Sequence, residues 1–347
     1  MSDKPLLVLV GGFLGAGKTT LILRAAETLK ARGMRAAAIM NDQDASLVDT
    51  QVSEARDVPT GEVAGGCFCC RFSDFASAAE ALAAHHPDVI FAEPVGSCVD
   101  LSATVVQPLK ELYGNRWRIA PFSVLVDPEL ARDVYGGRAD PDVSFLFRNQ
   151  VAEADLICAA KCDLHPEEVQ LPFAIDFSIS GATGEGVDDW LGEVLDSTRV
   201  AGARLLDVDY GRYAEAEAAL AWLNLHAQAA LADAASPAML AGPLLDEIDR
   251  RLTEAGVAIA HLKIFDRSPT GWVKAGICRN GTEPVPEGDL AASPAARHEF
   301  VVNLRAVGDP EAIRAVVEQA AGTIPGRVTI RHLRAFRPAP PRPEHRK

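Results

Sequence analysis

The sequence lacks two features that would each define a class of protein. No apolar run approaches the ~18–20 residues of a membrane-spanning helix, although hydrophobic residues make up 48% of the 347. There is no excess of basic residues either, since the formal net charge is −14. A protein that binds nucleic acid has to neutralise phosphates. The sequence therefore predicts no membrane span and no nucleic acid as the main partner.

The sequence also predicts neither a secretory signal nor a disulfide framework. Strand-like apolar residues run from Leu6 directly into a glycine-rich loop, which is not the pattern of a signal peptide. The seven cysteines are odd in number and three of them are crowded together. This favours reduced thiols or metal ligands over disulfides, and together these absences predict a cytoplasmic protein.

The first informative stretch is residues 6–20, where an apolar run ends in Gly12-x-x-x-x-Gly17-Lys18-Thr19 and passes into a predicted helix. This is a P-loop in its strand–loop–helix setting. Its backbone N–H groups and helix N-terminus favour phosphate oxygens, so we predict a nucleoside triphosphate ligand. We expect Lys18 at the β/γ-phosphates and the Thr19 hydroxyl on Mg²⁺. The predicted nucleotide-binding residues here are Gly12, Gly15, Ala16, Gly17, Lys18, Thr19 and Thr20.

Carboxylates follow two later strands. Asp42 and Asp49 come after a strand at 35–40, where α/β folds bind ligands. Each is interpreted either as facing Mg²⁺ or the attacking water, or as a capping residue of a polar loop. Glu93 ends a buried strand and suits water positioning or indirect contact with Mg²⁺, and Gly96 would lend its N–H to the γ-phosphate. The predicted catalytic residues are Lys18, Asp42, Asp49 and Glu93, and the predicted Mg²⁺ site is Thr19, Asp42 and Glu93.

Three cysteines in four residues, Cys67, Cys69 and Cys70, follow two glycines. Thiolates bind Zn²⁺, Co²⁺ or Cu(I) tightly, and three ligands leave one tetrahedral position open for a transferable ion. Buried inert cysteines and a redox pair are the alternatives. Cys98 and Cys278 are distant in sequence, and we expect them to lie outside this site.

The sequence Lys161-Cys162-Asp163 directly follows a predicted strand. A carboxylate that faces the N1–H and N2–H₂ groups of guanine accepts two charge-assisted hydrogen bonds that adenine cannot supply. The stem of Lys161 can lie over the base plane, and the loop at Ser180 suits the far side of the base. In this position the pattern predicts GTP as the nucleotide.

Strands alternating with helices predict an α/β fold, with a doubly wound, mostly parallel P-loop sheet in residues 1–203. Residues 204–337 predict a smaller α+β domain of βαββαβ, ferredoxin-like order. Four histidines lie in its predicted strands and need no function: His226, His261, His298 and His332. Residues 338–347, rich in proline and arginine, predict a disordered tail.

Taken together, the motifs in roughly residues 5–195 resemble the CobW-type metallochaperone GTPases, relatives of the urease- and hydrogenase-accessory GTPases. The most specific pieces are Gly-Phe-Leu-Gly-Ala-Gly-Lys-Thr-Thr and Gly-Gly-Cys-Phe-Cys-Cys. Further positions match family motifs: Asn41, Asp42, Asp49, Glu93, Gly96, Gln150, Ala154 and Asp155. The sequence departs from the family at Ala160, where the guanine motif has Asn. It also lacks the His-rich tract that is frequent in the family, because its 8 histidines are spread over the chain.

The resemblance implies slow GTP hydrolysis coupled to loading, holding and releasing Zn²⁺ or Co²⁺. The recipient would be a client metalloprotein or an enzyme of metal-cofactor biosynthesis, and a homodimer stays open. Two other functions remain open from the residues. One is an ATP-dependent P-loop enzyme with a structural or redox cysteine site, which the departure at Ala160 leaves open. The other is a nucleotide-dependent interaction switch whose cysteines only pack.

Overall fold

The computed structural model describes residues 4–41, 48–165 and 170–347, which divide into two compact units. The first unit comprises 4–41, 53–165, 170–216 and 340–347, and the second comprises 48–52 and 217–339. Within the described residues, none of the helices combines the length and apolar composition needed to cross a membrane.

The first unit is built on an eight-stranded sheet whose pairings are parallel. Its strands are β1 (Leu6–Gly12), β2 (Ala36–Asn41), β3 (Thr60–Val63), β4 (Val89–Glu93), β5 (Arg118–Ile119), β6 (Ser123–Val126), β7 (Leu156–Ala160) and β8 (Phe177–Ile179). They run in the order β3-β2-β4-β1-β6-β7-β8, and β5 also pairs with β1. Every residue of β1 is buried, as expected for a parallel strand covered on both faces.

Helices lie in the connections between these parallel strands, as crossovers require, and two further helices follow the last strand. They are α1 (Lys18–Ala31), α2 (Val48–Ala55), α3 (Phe72–Leu82), α4 (Gln107–Tyr113), α5 (Pro128–Tyr135), α6 (Pro141–Glu153), α7 (Val187–Asp196) and α8 (Tyr210–Ala218). A 3₁₀ turn covers Ala83–His85 and a π-helical turn covers Ser102–Val106. The first part of α2, Val48–Val52, belongs with the second unit.

The second unit contains an antiparallel sheet with two long helices. Its elements are β9 (Leu220–Ala235), α9 (Pro237–Glu254), β10 (Ala258–Ser268), β11 (Gly271–Ile277), β12 (Glu287–Gly288), β13 (Ala295–Val307), α10 (Pro310–Ala321) and β14 (Gly326–Phe336). The strand order is β12-β11-β10-β13-β9-β14. Apolar side chains of α9 and α10, such as Leu245 and Val317, share one core with strand residues such as Leu225 and Leu304. The predicted fold class is confirmed for both parts, with β11 and β12 extending the ferredoxin-like sheet beyond β10.

The chain passes from the first unit to the second after residue 216, whereas the sequence predicts a boundary after residue 203. The difference arises because α8 is anchored to the first unit by its tyrosines. Tyr213 is fully buried and its hydroxyl accepts the N–H of Val99 at 3.2 Å. The Tyr210 hydroxyl donates to Asp100 at 2.8 Å.

The C-terminal residues 340–347 are packed on the first unit, so the prediction of a disordered tail is wrong for them. The Glu344 N–H donates to the Cys69 carbonyl at 2.9 Å, and its carboxylate accepts the Ser73 hydroxyl at 2.6 Å. Arg346 donates to Asp100 at 2.8 Å. Composition alone predicts disorder here because the segment has no secondary structure of its own, but hydrogen bonds to distant segments hold it in place.

Candidate functional site

The glycine-rich loop leaves β1 and ends where α1 begins, at Lys18. Gly17 precedes the helix with φ 91°, a left-handed conformation that favours glycine. The buried Lys18 ammonium donates to the carbonyl oxygens of Gly12 at 3.0 Å and Phe13 at 3.3 Å. The loop is therefore wrapped around the ammonium group, a cradle that fits the phosphates of a nucleotide.

Thr19 and Glu93 meet at the base of this loop. The Thr19 hydroxyl donates to Glu93 Oε2 at 2.8 Å, and Lys18 Nζ lies 3.9 Å from Glu93 Oε1. All three side chains are buried. They come together because β4, which ends at Glu93, is the parallel neighbour of β1. A hydroxyl and a carboxylate at one point are the hard oxygen ligands that suit Mg²⁺.

Gly96 lies directly against the P-loop. A Cβ at this position would be 3.0 Å from the backbone nitrogen of Leu14 and 3.1 Å from its Cα, so only glycine allows this approach. The Gln150 amide holds the segment by donating to the carbonyls of Gly96 and Cys98, both at 3.0 Å. The structure thus brings Gly96 beside the loop that carries Lys18.

The structure describes one of the two aspartates that the sequence predicts near Mg²⁺. Asp42 lies outside the described residues. Asp49, in the first turn of α2, has both carboxylate oxygens 2.7 Å from Lys263 Nζ on β10. The preceding N–H, of Val48, donates to Asn303 at 2.9 Å. The contact that the structure gives Asp49 is therefore an ion pair within the second unit.

The predicted guanine motif follows β7, which ends at the buried Ala160. Lys161 has a left-handed φ of 59°, and its ammonium lies 2.6 Å from Asp127 Oδ2. Burial alone would raise the pKa of Asp127, but the charge and hydrogen bond of Lys161 outweigh it and the pKa is lowered. Asp163, two residues further, is exposed. Lys161 is thus anchored, while the carboxylate predicted to contact the base is accessible.

The loop after β8 packs against the start of α1. A Cβ on Gly181 would be 2.8 Å from the Leu21 backbone nitrogen, and Arg24 donates to the Ala182 carbonyl at 2.6 Å. Within the loop, the buried Ser180 hydroxyl accepts the Thr183 N–H at 3.0 Å. Ser180 is therefore held by a loop that contacts the helix carrying Lys18.

The three clustered cysteines converge on one point. The Sγ atoms of Cys67 and Cys69 are 2.8 Å apart, those of Cys67 and Cys70 are 3.3 Å apart, and those of Cys69 and Cys70 are 3.6 Å apart. Cys67 and Cys69 are buried and Cys70 is half-buried. The chain turns because the N–H groups of Cys70 and Arg71 both donate to the Cys67 carbonyl at 3.0 Å. The backbone N–H of Arg342 donates to Cys70 Sγ at 3.1 Å.

Asn41, the last residue of β2, shapes the turn that carries these cysteines. Its amide nitrogen donates to the carbonyls of Val63 at 2.8 Å and Gly66 at 2.7 Å. Its amide oxygen accepts the N–H of Phe68 at 2.9 Å. The thiol cluster is therefore tied to the end of β2, where β2 runs beside β4 and Glu93.

Cys98 lies near this cluster but is not one of the three sulfurs that lie within 4.8 Å of one another, so its place outside the site stays a prediction. It is buried, and its side chain forms a hydrogen bond with Cys67. Hydrogen bonds from its neighbours, chiefly Cys69, lower the pKa of Cys67. The hydrogen bond to Cys67 in turn raises the pKa of Cys69, and raises that of Cys70 to about 12.

Sequence reasoning gave no structural role to Asn41, Asp127, Gln150 or Cys98. Asn41 ends β2 and Asp127 directly follows β6, so the rule that ligands bind at the carboxyl ends of parallel strands could have singled out both. Gln150 lies inside a helix and Cys98 lies in an irregular segment. Gln150 matches a family motif, but no local pattern predicts the partners of Gln150 or Cys98, because the packing of distant segments sets those partners.

The carboxyl group of Glu153, at the end of α6, should make the stability pH-dependent. It is buried and accepts the Ser102 N–H at 2.9 Å, while its Oε1 has no hydrogen-bond partner among the described residues. Burial, aided by the charge of Asp100, raises its pKa from 4.5 to about 8. Because the folded-state pKa lies above the unfolded value, the stabilisation is complete below about pH 4.5 and is lost as the pH rises through about 8.

We expect Glu153→Gln to remove this loss, because the amide has nearly the shape of the protonated acid and does not ionise. At pH 9 the variant should be more stable than the wild type by roughly 2 kcal/mol, after the cost of burying an unpaired N–H. Thermal unfolding measured from pH 5.5 to 9 checks this, with the exposed Glu129→Gln as control. An equal decline in Tm for the wild type and Glu153→Gln would contradict it.

Comparison with known proteins adds a family match and several similar proteins. Residues 6–174 match the family model described as CobW/HypB/UreG, nucleotide-binding domain. The sequence is 40% identical over 112 residues to the urease accessory protein UreG of Ureaplasma parvum, covering 29% of this chain and 53% of that protein. The chain thus spans about half the length of this curated relative.

Among solved structures, the chain is similar to the hydrogenase maturation factor HypB from Archaeoglobus fulgidus. The identity is 18% and the TM-score 0.39, over 56% of this chain and 91% of that one. It is also similar to the Zn(II)-bound YjiA GTPase from E. coli, at 14% identity and a TM-score of 0.35, over 92% of this chain and 99% of that one. These TM-scores are too low for either likeness to support a conclusion about this chain.

The segment matched by the family model contains the P-loop, Glu93, the three clustered cysteines and Asp163. It also contains the contacts that join them, from Thr19 to Glu93 and from Asn41 to the cysteine turn. The resemblance drawn from the motifs is confirmed by this match. Residues 6–174, just under half of the chain, are similar to the nucleotide-binding domain of the CobW/HypB/UreG family.

Proposed function

We propose that this protein is a GTP-hydrolysing metallochaperone that carries a transition metal on Cys67, Cys69 and Cys70. The observation that carries the proposal is the convergence of three Sγ atoms within 4.8 Å of one another, in a chain whose P-loop lies in the segment that is similar to this family. Three thiolates at this separation suit Zn²⁺ or Co²⁺ as the cargo. The recipient is a client metalloprotein or an enzyme of metal-cofactor biosynthesis in the cytoplasm.

The nucleotide would be held by the residues gathered around the P-loop. Lys18, already oriented over the loop by two carbonyl groups, binds the β/γ-phosphates. Thr19 and Glu93 hold Mg²⁺ and the attacking water, and the N–H of Gly96 contacts the γ-phosphate. When bound, Mg²⁺ neutralises charge that develops on the phosphates.

The guanine base would be bound by Lys161, Asp163 and Ser180, with Lys161 anchored on Asp127. We retain Asp42 and Asp49 as further residues that order Mg²⁺ and water. For Asp49 this role requires release from Lys263, with which it forms an ion pair.

The binding of a metal to the thiol cluster should depend on pH. Hydrogen bonds from Cys69 and Cys70 lower the pKa of Cys67, whereas the hydrogen bond to Cys67 raises the pKa of Cys69 and of Cys70. A divalent metal displaces thiol protons when it binds, as thiolate sites generally require. Metal affinity should therefore increase with pH.

Cobalt substitution of the anaerobically purified chain tests the metal site. Bound Co²⁺ should give an intense sulfur-to-metal charge-transfer band in the near ultraviolet. We expect each of Cys67→Ser, Cys69→Ser and Cys70→Ser to weaken the band and to lower Co²⁺ affinity by ~10–100-fold, the range seen even when groups that only support a ligand are removed. Cys278→Ser, in the second unit, is the control. Equal losses in Cys278→Ser would show that the site is wrongly placed.

An ATP-dependent P-loop enzyme is the second candidate, and the buried Ala160 favours it. In the family that this sequence resembles, an Asn braces the guanine loop. Ala160 stands at that position, so one polar contact to the loop is missing. Competition between ATP and GTP for a fluorescent GTP analogue separates the two functions. Equal displacement by both nucleotides would support the ATP-dependent enzyme and contradict the GTPase.

A further inference from the structure

We propose that residues 340–347, here called the strap, form a lid that keeps the cargo metal on the thiol cluster and opens before the metal is transferred. The inference rests on the proposed metal-binding function of Cys67, Cys69 and Cys70, and it adds a step that controls release. The strap and the three cysteines all belong to the first unit, so the contacts between them lie within one compact body.

The strap lies on the accessible side of the thiol cluster. Cys67 and Cys69 are 2% and 1% exposed, whereas Cys70 is half-buried and marks the side from which a metal can reach the sulfurs. The N–H of Arg342 donates to Cys70 Sγ at 3.1 Å. The N–H of Glu344 donates to the Cys69 carbonyl at 2.9 Å. The path of a metal to and from the sulfurs therefore runs past the strap.

The prolines of the strap explain why it is held by contacts with its surroundings. Proline has no backbone N–H, and its fixed φ favours an extended segment without internal hydrogen bonds. The donors on either side of Pro343 are those of Arg342 and Glu344, and the cysteine turn uses both of them. Because proline also restricts the open segment, less conformational entropy is lost when the strap closes.

Two exposed side chains fasten the strap to the first unit. The Glu344 carboxylate accepts the N–H of Ser73 at 3.0 Å and the Ser73 hydroxyl at 2.6 Å, in the first turn of α3, where the helix dipole favours an anion. The Arg346 guanidinium donates to Asp100 Oδ2 and to the Leu206 carbonyl, both at 2.8 Å. Because Glu344, Ser73 and Arg346 are exposed, water screens these contacts and they can break reversibly.

The chemistry of a three-thiolate site explains what a lid would do. Three sulfurs leave one tetrahedral position open, and a segment that covers this position slows the exchange of metal without adding a ligand. The N–H of Arg342 also supplies Cys70 Sγ with a hydrogen bond of the kind that supports a metal-bound thiolate. The closed strap therefore retains the metal, and the open strap exposes it to a recipient.

The test measures how fast Co²⁺ leaves the full-length chain under anaerobic conditions. An excess of a chromophoric chelator is added to the Co²⁺-loaded chain, and the loss of the sulfur-to-metal charge-transfer band is followed. The double variant Glu344→Ala/Arg346→Ala removes both fasteners and leaves every sulfur in place. We expect it to release Co²⁺ roughly 5–30-fold faster than the wild type, because exposed contacts each contribute modestly to closure. Glu129→Ala/Arg116→Ala, at exposed positions elsewhere in the first unit, should match the wild type.

Two further measurements identify the cause of faster release. Hydrogen exchange of the Arg342 N–H, measured without metal, should be faster in the double variant, and unchanged binding of a fluorescent GTP analogue shows that this variant is folded. Arg342→Pro removes the N–H that contacts Cys70 Sγ and should lower the affinity for Co²⁺ by ~10-fold. Arg342→Ala keeps that N–H and should bind Co²⁺ as the wild type does.

The outcomes separate the lid from the metal site on which it rests. If the wild type binds no Co²⁺ through sulfur, the proposed metal site fails and the lid fails with it. If Co²⁺ is bound through sulfur and the double variant releases it within twofold of the wild-type rate, the lid is overturned, although the three-thiol site stands. Unchanged exchange of the Arg342 N–H would overturn the role of the two fasteners. Equal Co²⁺ affinities of Arg342→Pro and Arg342→Ala would overturn the role of the N–H.

Discussion

Lys18→Met is expected to lower the rate of GTP hydrolysis by about 10²–10³-fold. This is the usual effect of removing one preorganised hydrogen-bond donor that is aimed at negative charge developing in the transition state. Methionine is similar in length and keeps the apolar stem, but it has no charge and no N–H. In the structure the ammonium of Lys18 is buried, donates to the carbonyls of Gly12 and Phe13, and lies 3.9 Å from Glu93. The phosphates of a nucleotide would take over these donors in the bound state.

Phosphate release under steady-state conditions measures this effect, and Lys110→Met is the matched control. Lys110 also donates to a backbone carbonyl, that of Ala201 at 3.0 Å, but it lies in α4 and has no predicted role with the nucleotide. The control should hydrolyse GTP at the wild-type rate. A Tm close to that of the wild type establishes that Lys18→Met is folded. Hydrolysis by folded Lys18→Met within threefold of the wild-type rate would contradict the assignment of Lys18.

Asp163→Asn is expected to reduce discrimination between GTP and ATP by roughly 10²–10³-fold and to move the preference toward xanthosine triphosphate. The carboxylate accepts two charge-assisted hydrogen bonds from guanine, each worth about 1.5–3 kcal/mol. An amide in its place offers one acceptor and one donor, which matches the N1–H and C2 carbonyl of xanthine. The exposed side chain of Asp163, next to the anchored Lys161, leaves room for a base to approach.

Competition against a fluorescent GTP analogue measures all three affinities in one experiment. Asp189→Asn, a change at an exposed position on α7, is the control that makes the same chemical substitution elsewhere. It should leave the nucleotide preference unchanged. If the wild type prefers GTP and Asp163→Asn keeps that preference, another residue selects the base.

Local sequence patterns were sufficient for the elements and for the types of chemistry. The run of five buried apolar residues before the P-loop predicts a parallel strand because such strands are covered on both faces. The apolar spacing of α9 predicts its buried face, which includes Leu244 and Ile248. The cysteine run likewise converges, because one turn, closed by two hydrogen bonds to the Cys67 carbonyl, suffices to bring three sulfurs together.

Sequence patterns did not predict the contacts that a segment makes with distant partners. The proline- and arginine-rich C-terminus has no periodicity, which predicts disorder, yet Glu344 and Arg346 are held by hydrogen bonds to Ser73 and Asp100. Asp49 follows a strand, as a ligand of Mg²⁺ often does, yet its carboxylate is paired with Lys263 more than two hundred residues away. No local window contains both members of such pairs.

The sequence by itself determined which groups this protein offers for the proposed binding of phosphate, a base and a soft metal, because each group is encoded within a few consecutive residues. Only the tertiary structure decided how those groups meet. Parallel pairing of β1 with β4 joins Thr19 to Glu93, and the end of β2 places Asn41 on the cysteine turn. The packing of α6 sets Gln150 on the segment that carries Gly96 and Cys98. Such contacts depend on strand order and on long-range burial, which the residues adjacent in sequence do not specify.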